Sequence, residues 1–226
     1  MVTNEIIDNS EGNKLVDVLK KEVEEQGGDF DVATGFFNIR GFSMVKEEIE
    51  GVDRFRLLLG KAPEIRSDRT LGKEIKKRLS EDVENLELSK ENHSNVEELI
   101  EFLKQDNVEI KLYDEKFLHG KTYILDKSVV IGSSNFTAAG LTQNTELNSY
   151  HLQSKAEYVR NGWFKKFWKD AVDFKDELIT LLENSRFGSE EYTPYQVFLK
   201  TLYEYQKEDI NQEVSGDRRY SDSKVD

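Results

Sequence analysis

Cysteine is absent from this chain of 226 residues, which excludes disulfides and thiolate metal sites. Long hydrophobic runs are missing as well, because no window approaches the roughly 18 consecutive apolar residues of a membrane helix. The opening Met1-Val2-Thr3-Asn4-Glu5 lacks the basic start and apolar stretch of a secretory signal. A cytoplasmic location without a membrane partner is therefore expected. Neither a D-x-D-x-D-G calcium loop nor an H-E-x-x-H zinc helix occurs, so no metal and no cofactor are expected. The G-x-x-x-x-G-K-[ST] phosphate loop is missing too, so this chain alone should not hydrolyse ATP. Positive charge is in short supply, with 32 Lys and Arg against 45 Asp and Glu for a net charge of −13. That balance argues against a protein that coats nucleic acid with its whole surface. It leaves room for a local cationic cleft, for which Lys73, Lys76, Lys77 and Arg78, or Lys165, Lys166 and Lys169, are candidates. For each of those runs an ordinary solvated helix face is the better reading.

What is present suits one α/β domain with an appendage. A hydrophobic content of 37% and 13 Phe supply a core. Leu15, Val18, Leu19 and Val23 share a helix face, capped by Ser10 or Asn13 and ended by Gly27-Gly28. Strands follow at Phe30 to Phe37 and Arg54 to Gly60, with a short helix between them and Pro63 breaking what comes next. Two helices carry Leu71, Ile75, Leu79, Val83 and Leu86, then Val96, Leu99, Ile100 and Leu103. Val108 to Tyr113 alternates as a third strand. Asn135 to Leu141 reads as a short helix whose first amides would face an anion, and Thr145 to His151 as a returning strand. Tyr158, Trp163, Phe164, Phe167 and Trp168 lie on a helix from Ala156 to Ala171, where core packing is the better reading and base stacking the alternative. Another helix spans Val172 to Glu183, and Thr193 and Pro194 open a last one to about Lys207. The polar tail from Glu208 is expected to be disordered. The expected division is a catalytic domain over 1–190 and a helix with its tail over 191–226.

Chemistry is concentrated in Leu118 to Asn148. In an extended segment His119, Lys121 and Tyr123 project to one side. Asp126-Lys127 reads as a tight turn, after which Ser128 to Ile131 returns and delivers Gly132, Ser133 and Asn135 beside the His/Lys pair. Lys121 with amide and hydroxyl donors would hold anionic oxygens, and His119 supplies a nucleophilic or proton-transferring nitrogen. Together they suit a phosphodiester.

The arrangement resembles the phospholipase D superfamily, with its H-x-K-x4-D and following G-S-x-N, matched by His119, Lys121, Asp126, Gly132, Ser133 and Asn135. The spacing between Asp126 and Gly132 is one residue shorter than usual in that family, which a tighter hairpin would absorb. The resemblance implies an α-β-α sandwich with a mixed sheet, here with C-terminal helices added. It also implies a metal-independent phosphodiesterase in which one His forms a phosphohistidine and a second protonates the leaving oxygen. On that pattern His119, Lys121, Asn135 and Glu146 are catalytic, with Glu146 hydrogen-bonded to the His. Lys121, Ser133 and Asn135 bind phosphate, while Asp126 and Gly132 are structural.

Gly35-Phe36-Phe37-Asn38, Leu58-Leu59-Gly60 and Thr193-Pro194-Tyr195 add a narrower resemblance, to the phospholipase D-like module in front of superfamily 2 helicases in bacteria and archaea. That implies DNA as substrate, a helicase partner and a place in a restriction or defence system. Of the three His, His93 and His151 have no Lys two positions later. The second catalytic half is therefore expected from another copy of the chain, in a two-fold homodimer. A phospholipid-acting enzyme and an idle DNA-binding or dimerisation module are the competing readings.

Overall fold

Strands and helices alternate along most of the chain because apolar residues switch repeatedly between a period of two and a period near 3.6. The computed structural model describes residues 5–60, 71–116, 118–188, 195, 198–203 and 205–207. Pro63, the Thr193-Pro194 helix start and the tail from Glu208 lie outside them, as does the side chain of Lys73. The chain divides after Ser189 into two units. The described residues of the second are helical.

In the first unit the strands are β1 (Ile6–Ile7), β2 (Asp29–Thr34), β3 (Arg54–Leu59), β4 (Val108–Leu112), β5 (Lys121–Ile124), β6 (Ser128–Gly132), β7 (Asn148–Leu152) and β8 (Val172–Asp173). They form one sheet in the order β1-β7-β6-β5-β2-β3-β4-β8. The sheet is mixed. β2, β3 and β4 run parallel, whereas β5 is antiparallel to β2, and β6, β7, β1 and β8 each pair antiparallel with their neighbours. The helices are α1 (Leu15–Gln26), α2 (Ile39–Ser43), α3 (Lys46–Ile49), α4 (Leu71–Asn85), α5 (Lys90–Lys104), α6 (Ala138–Thr142), α7 (Gln153–Tyr158), α8 (Lys165–Asp170) and α9 (Lys175–Glu183). A π-helical turn, Val159–Phe164, joins α7 to α8.

Side-chain alternation splits the core into two layers. Phe30, Val32, Leu57, Leu59, Tyr123 and Val130 pack with α1, α5 and α9 on one face, in a cluster including Leu19, Leu99 and Leu178. Ala33, Leu58, Ile124 and Val129 face the other way, onto Ala156, Val159, Phe164 and Trp168. This is the α-β-α sandwich that the sequence implies. The expected aromatic helix belongs to the second layer, where Phe164 and Trp168 stack at 5.4 Å and Arg56 lies 5.0 Å from the Phe164 ring centre. Core packing, rather than base stacking, accounts for those two rings.

Four expectations change. Lys14 precedes α1 as its cap residue, but it is the side chain of Asn9 that accepts from Leu15 N–H at 3.0 Å, so neither Ser10 nor Asn13 fills that role. The expected helix from Asn135 starts three residues later, at Ala138, because Thr137 is the capping residue. The returning strand begins at Asn148 rather than Thr145, leaving Glu146 in the preceding turn. Val172 and Asp173 form an edge strand on β4, and the helix expected there starts at Lys175. A two-residue strand such as β1 or β8 carries no readable period.

Candidate active site

Lys121 begins β5 opposite Gly132, the last residue of β6. The hairpin between them closes at Asp126-Lys127, where Leu125 N–H donates to Ser128 carbonyl at 2.8 Å. In turn Gly132 pairs with Asn148, the first residue of β7. Antiparallel pairing thus gathers the start of β5, the end of β6 and the start of β7 at one end of the sheet, where β2 also ends in Thr34. Gly132 is required by backbone, since a Cβ there would lie 2.5 Å from Leu147 carbonyl oxygen and 2.3 Å from Asn148 Oδ1.

His119 is exposed just ahead of β5, and Lys121 is buried. The Lys121 ammonium donates to His119 carbonyl at 3.1 Å, tying the His-bearing turn to the strand. Burial lowers the Lys121 pKa from its ordinary value, while the Glu146 carboxylate pulls the other way. A cation held with little solvent is a strong partner for an anionic oxygen.

Ser133 hydroxyl donates to Glu146 Oε2 and accepts from Leu147 N–H at 2.9 Å, and Asn144 Nδ2 donates to Glu146 Oε1 at 3.2 Å. Glu146 therefore holds the Ser133 turn within one chain, a role not foreseen beside the expected one of orienting His119. Asn135 Oδ1 accepts from Phe36 N–H at 3.2 Å and lies at the same distance from Thr34 Oγ1. Beneath them Asn148 Nδ2 donates to Ser134 hydroxyl at 2.9 Å and to Ile7 carbonyl at 3.1 Å, and Tyr123 hydroxyl donates to Ser134 carbonyl at 3.0 Å. Burial pushes the Tyr123 phenol well above its usual value, so it remains a donor.

Asp126 lies at the far end of the hairpin from Lys121. Its Oδ1 accepts from Arg160 Nη1 at 2.7 Å, while Arg160 Nε reaches the fully buried Asp31 at 2.8 Å and Nη2 reaches Ile124 carbonyl at 3.1 Å. Asp31 is also gripped by Arg56 through two bonds of 2.6 and 2.7 Å. The Asp126 side chain thus accepts from the π-helical turn, a partner outside its own hairpin. Gly120, between His119 and Lys121, backs onto the same turn: a Cβ there would meet the Trp163 ring at 2.6 Å.

His93 pairs with Glu97 on α5 at 3.3 Å, and His151 bonds Ser149 hydroxyl at 2.9 Å. In the first cationic run Lys76 meets Glu177 at 3.3 Å and Lys77 meets Glu81 at 3.6 Å, as on a solvated helix face. Arg78 instead lies over the Phe36 ring at 5.0 Å. The amides expected to greet a phosphate at α6 have acceptors: Ala138 N–H donates to Asn38 Oδ1 at 3.2 Å and Gly140 N–H to Thr137 hydroxyl at 3.1 Å. Thr34 and Arg160 escaped the motif reading, whereas Phe36 was read only as a family landmark, Asn148 only as part of a strand and Trp163 only as one of the helix aromatics. Among the described residues no group of His, Asp and Glu is placed to hold a metal ion, and no helix is long and apolar enough to cross a membrane.

A mixed α/β sheet in this strand order, with His119, Lys121, Ser133 and Asn135 gathered at one end, has a phospholipase D-like fold. Residues 56–168, half of the chain, match the family model described as the cardiolipin synthase, PLD-like domain, and the chain belongs to that family. No curated protein matches it significantly. Among solved structures it is similar to NucT from Helicobacter pylori, at 15% identity over 71% of this chain and 91% of that one, with a TM-score of 0.45. It is also similar to the phospholipase D family member Nuc from Salmonella typhimurium, at 15% identity over 74% and 95%, with a TM-score of 0.47. A third is phosphatidylserine synthase from Haemophilus influenzae, at 13% identity over 90% and 45%, with a TM-score of 0.49.

Proposed function

We propose that the protein is a metal-independent phosphodiesterase that cleaves DNA at a site completed by a second copy of the chain. The observation that carries this reading is the buried Lys121 ammonium, set within electrostatic reach of Glu146 at the sheet end that also bears Ser133, Asn135 and the exposed His119. In the reaction, one His119 imidazole nitrogen forms a bond to phosphorus as the phosphorus–oxygen bond to the leaving group breaks. The protonated His119 of the second copy gives its proton to that oxygen, and water then attacks the phosphohistidine with the same His as base. Lys121 from both copies, with Ser133 and Asn135, offsets the charge of the five-coordinate phosphorus. Glu146 orients the imidazole, and Asp126 serves the scaffold.

DNA is preferred over phospholipid because the sequence offers no amphipathic basic helix of the kind that lies on a membrane surface. A nuclease module working with a helicase in a restriction or defence system fits the Gly35-Phe36-Phe37-Asn38 and Leu58-Leu59-Gly60 landmarks. The intact His119, Lys121, Asn135 and Glu146 set favours turnover over an idle binding module.

The test is wild type against His119→Ala on plasmid, single-stranded DNA, RNA and a phosphatidyl ester, with a chelator present. Chelator-resistant DNA cleavage, reduced at least 10³-fold or so in the variant, is expected. Lipid turnover, a strict magnesium requirement, or a strictly monomeric mass in solution would refute the proposal.

A further inference from the structure

The segment Gly35-Phe36-Phe37-Asn38 runs alongside Asn135-Phe136-Thr137, with Phe37 bridged in parallel to Phe136. Two of its four residues have evident tasks, while Gly35 lies against Asn135 with room for a Cβ at an ordinary 3.5 Å from Oδ1. Phe37 is buried and packs its ring 5.5 Å from that of Phe136. Asn38 donates its N–H to Phe136 carbonyl at 3.2 Å, and its Oδ1 accepts from Gly41 N–H at 2.8 Å to cap α2.

Phe36 is different. Its N–H holds Asn135 Oδ1 at 3.2 Å, yet its side chain is 40% exposed, on the opposite side of an extended backbone from Phe37. Leaving a phenyl ring in water forgoes the burial that fixes the neighbouring Phe37. The Arg78 guanidinium, presented by α4, lies over that ring at 5.0 Å. An aromatic face backed by Arg, tethered through its own amide to Asn135, the residue assigned to phosphate in the proposed reaction, has the composition of a base-stacking platform.

We infer that Phe36, backed by Arg78, stacks an unpaired nucleobase next to the phosphate held by Lys121 and Asn135, so that the substrate class is single-stranded nucleic acid. The inference rests on the phosphodiesterase reading above and narrows it. In a duplex both faces of each base are covered by neighbours, so stacking on Phe36 requires an unpaired or extruded nucleotide.

The experiment compares wild type, Phe36→Ala and Phe36→Trp on a labelled single-stranded oligonucleotide. The substrates are the intact strand, a set with one abasic position stepped along it, and the matched duplex. Cleavage is read as kcat/KM and binding as fluorescence anisotropy. Wild type is expected to prefer the intact strand to one abasic variant by about tenfold. That ratio should fall to about one in Phe36→Ala and persist in Phe36→Trp, with the duplex the poorer substrate throughout. An intact-to-abasic ratio of one in wild type, a ratio unmoved by Phe36→Ala, or a preference for duplex overturns the inference. So does turnover of a phosphatidyl ester that Phe36→Ala diminishes. If no strand is cut but base-dependent binding is lost in Phe36→Ala, the platform stands and the catalytic reading fails. If neither binding nor cleavage occurs, both fall.

Discussion

At the scale of single residues, Lys121 joins its proposed phosphate-binding role to a stability cost in the same atom. Its side chain is buried, its ammonium has His119 carbonyl as hydrogen-bond partner, and its pKa lies below the ordinary 10.5. The folded chain therefore releases this proton before the unfolded chain does as pH rises. Lys121 accordingly weakens the fold most at neutral pH, and the penalty is relieved across the interval that ends near 10.5. Lys121→Met should then be as stable as wild type at pH 7, or up to about 2 kcal/mol more stable, in urea unfolding. The advantage should shrink at pH 10, while phosphodiester cleavage is lost at both. A Met variant clearly less stable at pH 7 would mean that the ammonium supports the fold. Lys121 was legible in the sequence because H-x-K spacing is short and specific. Its burial was not, since that depends on β2 and β6 flanking β5 on both sides.

At the scale of elements, the hairpin β5–β6 is held at both ends by the π-helical turn between α7 and α8. Arg160 binds Asp126, Asp31 and the Ile124 carbonyl, and Trp163 occupies the space over Gly120. A π turn inserts an extra residue per turn and redirects the side chains after it, which suits a segment that must aim an Arg and a Trp at one strand pair. Gly120→Ala should cost about 1–3 kcal/mol by forcing the Trp163 ring off the strand. Adding Trp163→Ala should recover part of that loss, giving a coupling energy of about 1 kcal/mol or more in a double-mutant cycle. Strictly additive effects would separate the two residues. The period of the aromatic segment revealed a helix, but not its π turn, because Arg160 and Trp163 find their partners in a hairpin far away in sequence.

At the scale of the whole molecule, one chain presents a single His-Lys motif, and the proposed mechanism needs two imidazoles at one phosphate. Random reassociation of equal amounts of wild-type and His119→Ala chains should then leave about a quarter of the wild-type activity per dimer, because only doubly wild-type dimers are complete. Retention of half would mean that each chain works alone. The same reading expects a solution mass of twice the chain.

By itself the sequence determined the α/β class, the β5–β6 hairpin with its turn at Asp126-Lys127, and the residues around His119, because these rest on local periodicity and on spacings of a few residues. Tertiary structure alone decided which neighbours those residues acquired. Glu146 came to hold Ser133, Arg160 came to hold Asp126, and the Ala138 amide of α6 was taken up by Asn38. Several of these contacts join strands and turns distant in sequence, and a hydrogen bond between distant residues depends on strand order and register. No local pattern of residues encodes those two quantities.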